Sequence, residues 1–313
     1  MKILIKAGRS NNYISTIAIG EKYQKNFYRY AYPSWKDYCN RYQIGLIIFE
    51  QDLIDESSPF WKKATWQKLL IGKKVKSISD ANNICYLDTD IIISPLALNI
   101  FEYHDSQCIS VISQINNLPF PDYEVRKRVA YFRNKYIDPR YPLDSALFAT
   151  PKQIFEYHSK EPQEDYFCAG VFVFNVKNYA SLMEKWFNKY PRDVNTLTGG
   201  GDEPIVNYEF QSNKKIKYLD YKFQALWLYE MAWKYPFLYR DVKNLPLARV
   251  CIEAALLNNH FLHFCGSWAE SDMFMIDNIY SDKSLREDAI CLIDYVKKPY
   301  TGNPVGMVKP VNK

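Results

Sequence analysis

The chain has 313 residues, 48% of them hydrophobic, enough to bury the core of one large domain. Its formal charge of +5 is spread along the sequence without a Lys/Arg block, which argues against a nucleic-acid partner. No window approaches the ~18 apolar residues of a membrane span, and the N-terminus has too short an apolar run for a signal peptide.

Seven cysteines, scattered and without a C-x-x-C pair, point to a reducing, cytoplasmic setting and away from structural zinc. The 26 tyrosines suit a carbohydrate or nucleotide surface, since a phenol ring can stack and hydrogen-bond at once; an AT-rich genome would give the same composition.

In chain order, residues 13–20 read as a buried strand. Residues 27–42 follow as an amphipathic helix with a boundary at Pro33, and 44–49 as a second strand, the opening of a nucleotide-binding α/β sheet. Residues 61–70 have helical spacing, with Gly72 placed to stop the helix. Lys68 shares a stripe with Trp61 and Ala64, so it either snorkels to solvent or points into a polar cleft.

Residues 84–101 then set Asp88-Thr89-Asp90 between two apolar runs. Carboxylates are costly to bury, and on a strand Asp88 and Asp90 would face the same way, able to share one hard cation. Two other readings remain: a solvated turn between buried strands, or an aspartyl phosphotransferase with Asp88 as nucleophile, for which Ile92 stands at the Thr/Val position.

Residues 108–112 are a further strand. From 116 to 166 the pattern breaks into polar, aromatic and proline-rich text, read as an acceptor-binding excursion or as a helical insertion packed on the sheet. Residues 167–175 resume as a strand, and 178–190 as an amphipathic helix capped by Asn178. Gly199, Gly200 and Gly201 lead into Asp202-Glu203-Pro204, where Asp202 suits a helix cap. A short strand at 216–219, His263 in apolar text, a last helix at 283–298 and a tail at 299–313 complete the reading. Lys297, Lys298, Lys309 and Lys313 are too few for more than weak peripheral membrane contact.

The ordered set WQKLL, YLDTDIII, FCAGVFVFN, DEPIVN and HFCG resembles the GT-A fold glycosyltransferases, the retaining, metal-dependent glycogenin and bacterial lipooligosaccharide galactosyltransferase type, over residues 13–268. The resemblance implies a Rossmann-like mixed central sheet flanked by helices, with the D-x-D at the end of a central strand. Residues 1–298 would form a single catalytic domain. It implies a metal site of Asp88, Asp90 and His263, holding Mn²⁺ or Mg²⁺, of which imidazole favours Mn²⁺. It places Ile19, Lys68, Asp88, Cys168, Ala169, Gly170 and Gly266 around a nucleotide-sugar donor, a UDP-sugar, with Asn175 supporting the strand. The acceptor would be a glycan, a lipid-linked sugar or a protein.

The chain departs from that family at three places. Cys168 replaces an Asn, Ala269 stands where a phosphate-binding Lys is usual, with Lys68 and Arg249 as alternative cations, and Glu203 replaces a Gln. The Asp202-Glu203 pair also resembles the blood-group type transferases, which makes Glu203 the candidate nucleophile or stabiliser. Besides the phosphotransferase, the rival is a nucleotide-sugar-binding pseudoenzyme.

Overall fold

The computed structural model describes residues 1–77, 80–136, 149–194, 201–240, 243–277, 279 and 287–291. The strands are β1 (Lys2–Ile5), β2 (Asn12–Ile17), β3 (Gly45–Phe49), β4 (Asn83–Leu87), β5 (Ile91–Ile93), β6 (Ile109–Ser113), β7 (Phe167–Asn175), β8 (Ile216–Tyr218), β9 (Ala225–Leu226) and β10 (Phe261–His263). The helices are α1 (Glu21–Asn26), α2 (Tyr32–Tyr42), α3 (Ala64–Gln67), α4 (Ile71–Lys76), α5 (Asp122–Tyr136), α6 (Pro151–Tyr157), α7 (Val176–Lys189), α8 (Glu203–Ser212), α9 (Trp227–Lys234) and α10 (Leu245–Asn258). None of the described helices is long and apolar enough to cross a membrane.

A seven-stranded sheet runs in the order β1-β3-β2-β4-β7-β6-β8, and a smaller one in the order β5-β10-β9. The large sheet is mixed: β2 is parallel to β3 and β4, whereas β7 is antiparallel to both β4 and β6. The near-continuous apolar text of its strands follows from burial on both faces. In β4, Cys85 and Leu87 face one core with Val171 and Val173 of β7, while Ile84 and Tyr86 face the other with Phe172 and Phe174. The first core is completed by α2, α9, α10 and the small sheet, the second by α4, α7 and α8.

Several expectations are corrected by packing. A π-turn, Phe27–Ala31, joins α1 to α2, with the Tyr32 N–H bonded to the Phe27 carbonyl. A wider turn immediately before Pro33 suits a residue with no N–H to donate, so the boundary lies where the proline set it, but the helical path continues through it. Gly72 does not stop a helix. It lies inside α4, where a Cβ would meet Phe174 at 2.9 Å and Ala180 at 3.0 Å, so it is the close-approach point of α4 on α7. The cap of α7 is Asn175, whose side chain accepts from the Asn178 N–H, three residues before the expected cap.

The described part of 116–166 carries α5 and α6. The ion pair Arg126–Asp122 (2.7 Å) braces the first turns of α5, and Phe132 stacks on Tyr239 at 5.0 Å. Gly199, Gly200, most of the expected last helix and the tail lie outside the described residues.

Candidate metal site

After Leu87 the chain leaves the large sheet and enters the small one at Ile91, and Asp88-Thr89-Asp90 is the crossing. The two aspartates therefore sit in a turn, not along one strand. What brings them together is the anchoring on either side. The Asp88 N–H donates to the Gly170 carbonyl (2.9 Å), and the Phe264 N–H to the Asp90 carbonyl (3.0 Å). From α2, Trp35 Nε1 donates to the Ile91 carbonyl (2.7 Å), and Ser34 Oγ accepts from the Ile93 N–H (3.1 Å).

Antiparallel pairing of β5 with β10 sets His263 opposite Ile91, beside the turn. Its Nε2 is 3.2 Å from Asp90 Oδ1 and 3.9 Å from Asp88 Oδ2. One ligand atom from each of the three residues lies within 4.8 Å of the others. Asp90 Oδ1 is buried with no well-aligned hydrogen bond, its near neighbour being His263 Nε2 itself, an arrangement that a cation between the two would satisfy. Burial by itself would lower the imidazole, but the two aspartates outweigh it and hold His263 above its ordinary value.

Behind Asp88 lies a buried ion group. Lys68, 2% exposed, neither snorkels to solvent nor lines the cleft but turns inward to buried partners. Its Nζ is 3.1 Å from Asp202 Oδ2, 3.8 Å from Asp88 Oδ1 and 3.0 Å from the Ala169 carbonyl it donates to. Burial would lower the ammonium, yet Asp202 and Asp88 keep it well above the usual lysine range. Asp202 stands at the cap position of α8, but its side chain caps nothing, being spent on Lys68. Tyr86 OH donates to Asp88 Oδ1 at 2.6 Å.

The backbone that meets Lys68 is freed by a bulge. Val111 pairs with Phe172 and Ser113 with Phe167, so residues 168–171 of β7 stand opposite Ile112 alone. Bulges turn backbone groups out of the ladder, and here they face the site. Gly170 must lack a side chain: a Cβ would meet His263 Cε1 at 2.4 Å and Asp88 Oδ2 at 2.8 Å. Cys168 Sγ lies 3.7 Å from His263 Nδ1. Asn175 supports the far end of β7 through Asn82 and Asn83 as well as capping α7.

Glu203 opens α8, bonded to the Ala169 N–H and 3.4 Å from the Gln114 amide. It is pushed up from 4.5 to about 7, first by burial and then by Asp202, against the pull of Lys68. The folded chain thus retains a proton that the unfolded chain gives up. The stability this group contributes is complete below about 4.5 and is lost as pH rises through about 7. Glu203→Gln removes the titration, so its melting temperature relative to wild type is expected to rise by several degrees between acid and mildly alkaline buffer. A pH-independent difference would mean that the carboxyl is solvated.

The Asp88 and Asp90 side chains form the floor of a cleft of about 560 Å³ that Ile19, Gly266 and Ala269 also line. Gly266 is held at φ 67°, a left-handed conformation that glycine adopts without strain. Lys22 and Lys63 line the same cleft and were not anticipated from the sequence. Arg249, on α10, does not line it and acts electrostatically on Asp277. Lys68 lies behind the floor, where it holds Asp202 and Asp88.

No protein-family model matches the chain, and no curated protein matches it in sequence. In the course of its chain it is similar to solved glycosyltransferases. One is involved in glycosylation of the major capsid of PBCV-1 (11% identity, 84% of this chain and 100% of that one, TM-score 0.44). Another is the galactosyltransferase LgtC with donor and acceptor sugar analogues (15% identity, 90% and 95%, TM-score 0.43). A third is GlyE of Streptococcus pneumoniae TIGR4 (12% identity, 93% and 66%, TM-score 0.40).

Proposed function

We propose that this protein is a metal-dependent glycosyltransferase that moves a sugar from a nucleotide-diphosphate sugar, of the UDP type, to a glycan, lipid-linked or protein acceptor, with retention. The observation that carries the reading is the convergence of Asp88, Asp90 and His263 on one point at the cleft floor. Two carboxylates and an imidazole, with Asp90 Oδ1 buried against the imidazole and without a well-aligned hydrogen bond, fit a divalent cation, and the mixed oxygen and nitrogen set favours Mn²⁺. When bound, such a cation neutralises charge on a departing diphosphate as a Lewis acid.

The chain's own residues do the rest. Lys68 fixes Asp88 and Asp202 so that neither carboxylate drifts, and Ile17, Ile19 and Phe274 give the cleft part of an apolar wall. Glu203, poised near neutrality behind the bulged strand, is the carboxylate available to face an anomeric carbon. Both oxygens of Asp88 already face partners, Tyr86 and Lys68 on one side and His263 on the other, which suits a ligand better than a phosphoryl-accepting nucleophile.

Thermal unfolding with UDP, GDP or CMP, each with Mn²⁺ or EDTA, tests the reading. UDP with Mn²⁺ at a hundred times its dissociation constant is expected to add about 2.7 kcal/mol. EDTA or Asp90→Ala should abolish the gain. Stabilisation by no nucleotide, or the same stabilisation in EDTA, would sink it.

A further inference from the structure

A histidine ligates through a lone pair, so the proton must sit on its other ring nitrogen, and something must accept that proton. In His263 the Nε2 faces Asp90 and Asp88, and Nδ1 points the opposite way into a buried pocket. Two groups reach Nδ1 there, the Gln224 carboxamide at 3.2 Å and the Cys168 thiol at 3.7 Å. Burial holds the thiol protonated, and neutral sulfur is a weak acceptor. The carboxamide is the stronger partner.

Its position is fixed from both ends. Gln224 closes the 3₁₀ turn Tyr221–Gln224, which Asp220 caps by accepting from the Lys222 N–H, and the Lys222 carbonyl accepts from the His260 N–H (2.8 Å). The next residues form β9, which pairs in parallel with β10 and sets Leu226 against His263. Gln224 is 1% exposed, and in the present arrangement its Oε1 is buried without a hydrogen bond. A buried carbonyl left unbonded is costly, and here it belongs to an amide already in contact with the ring.

We infer that Gln224 is a positioning residue for His263, its carboxamide oxygen accepting the Nδ1 proton and so leaving the Nε2 lone pair to a divalent cation held with Asp88 and Asp90. A carboxamide can turn end for end. While the imidazole carries its proton on Nε2 toward Asp90, the amide nitrogen donates to Nδ1; once Nε2 is metallated, the oxygen accepts from Nδ1–H. The inference rests on the metal-dependent reading of the site.

Mn²⁺ binding to the full chain, read by the electron paramagnetic resonance of free Mn²⁺ without nucleotide, tests it on Gln224→Met, Gln224→Asn and Gln224→Glu. Methionine keeps the volume without an acceptor, asparagine withdraws the amide from Nδ1, and glutamate keeps an acceptor in place. Gln224→Met and Gln224→Asn are expected to lose about 10- to 100-fold in Mn²⁺ affinity. Gln224→Glu should match or exceed wild type. Asparagine decides the point if methionine does not fold, as judged by melting in EDTA. If the methionine variant, or in its place the asparagine variant, binds like wild type, or if glutamate loses affinity as the others do, Gln224 only packs and the inference falls. Failure of the wild type itself to bind Mn²⁺ overturns the metal reading and the inference together, so the two failures are told apart.

Discussion

Lys68→Met is expected to destabilise the protein by about 3–5 kcal/mol, the range for breaking a buried ion group by removing one partner. The ammonium is 2% exposed and Asp202 6%, so water cannot replace what is lost. Asp202 is already held above the ordinary carboxylate range, by burial first, with Lys68 opposing; without the lysine it rises further. The consequence has a sign. A carboxyl raised in the folded state loses its stabilising share as pH increases, so the deficit should widen from acid to neutral buffer. Urea unfolding in acid and in mildly alkaline buffer measures it. The double variant Lys68→Met/Asp202→Asn should recover a good part of the loss, because it no longer buries an uncompensated charge. A loss below about 1 kcal/mol, or additive single effects, would show that the group is hydrated.

The central strands were legible because burial on both faces writes them as apolar runs. The unbroken apolar run at 167–175 matches β7, whereas only the family resemblance groups Asp88, Asp90 and His263, whose ligand atoms the fold brings together. What the sequence hid is what tertiary contact decides. β1 is a short, half-exposed edge strand whose KILI text also fits a frayed terminus. Gly72 has the local form of a helix stop, and only the closeness of Phe174 and Ala180 explains it. Asp202 has the local form of a cap, but Lys68, far off in sequence, claims its carboxylate. Nothing in YKFQALW marks Gln224, since its importance comes from β9 pairing with β10. Tyr86 lies in the apolar run before Asp88 and packs in the core, while its hydroxyl reaches Asp88, which the run's apolar text does not show.

Glu203→Gln is expected to lower kcat/KM for sugar transfer by roughly 10²- to 10⁴-fold, the range that a positioned ionisable group supplies. Glutamine keeps the volume and can keep the bond from the Ala169 N–H, so the nucleotide-dependent thermal shift should survive. The pH profile carries the sharper test. As nucleophile or as stabiliser of positive charge, Glu203 works only ionised, and in the free protein it is held up to about 7. The wild-type kcat/KM, which reports the free enzyme, should therefore climb as pH rises and level off above about 7. A bound cation adds positive charge nearby and can only move that inflection to lower pH. The glutamine variant should lose this limb and keep only whatever slope belongs to the acceptor. If the limb persists unchanged, the titrating group lies elsewhere and Glu203 is not the carboxylate that meets the sugar. If transfer itself persists near the wild-type rate, the acceptor would have to attack without help from α8, on the face of the donor that the cleft leaves open.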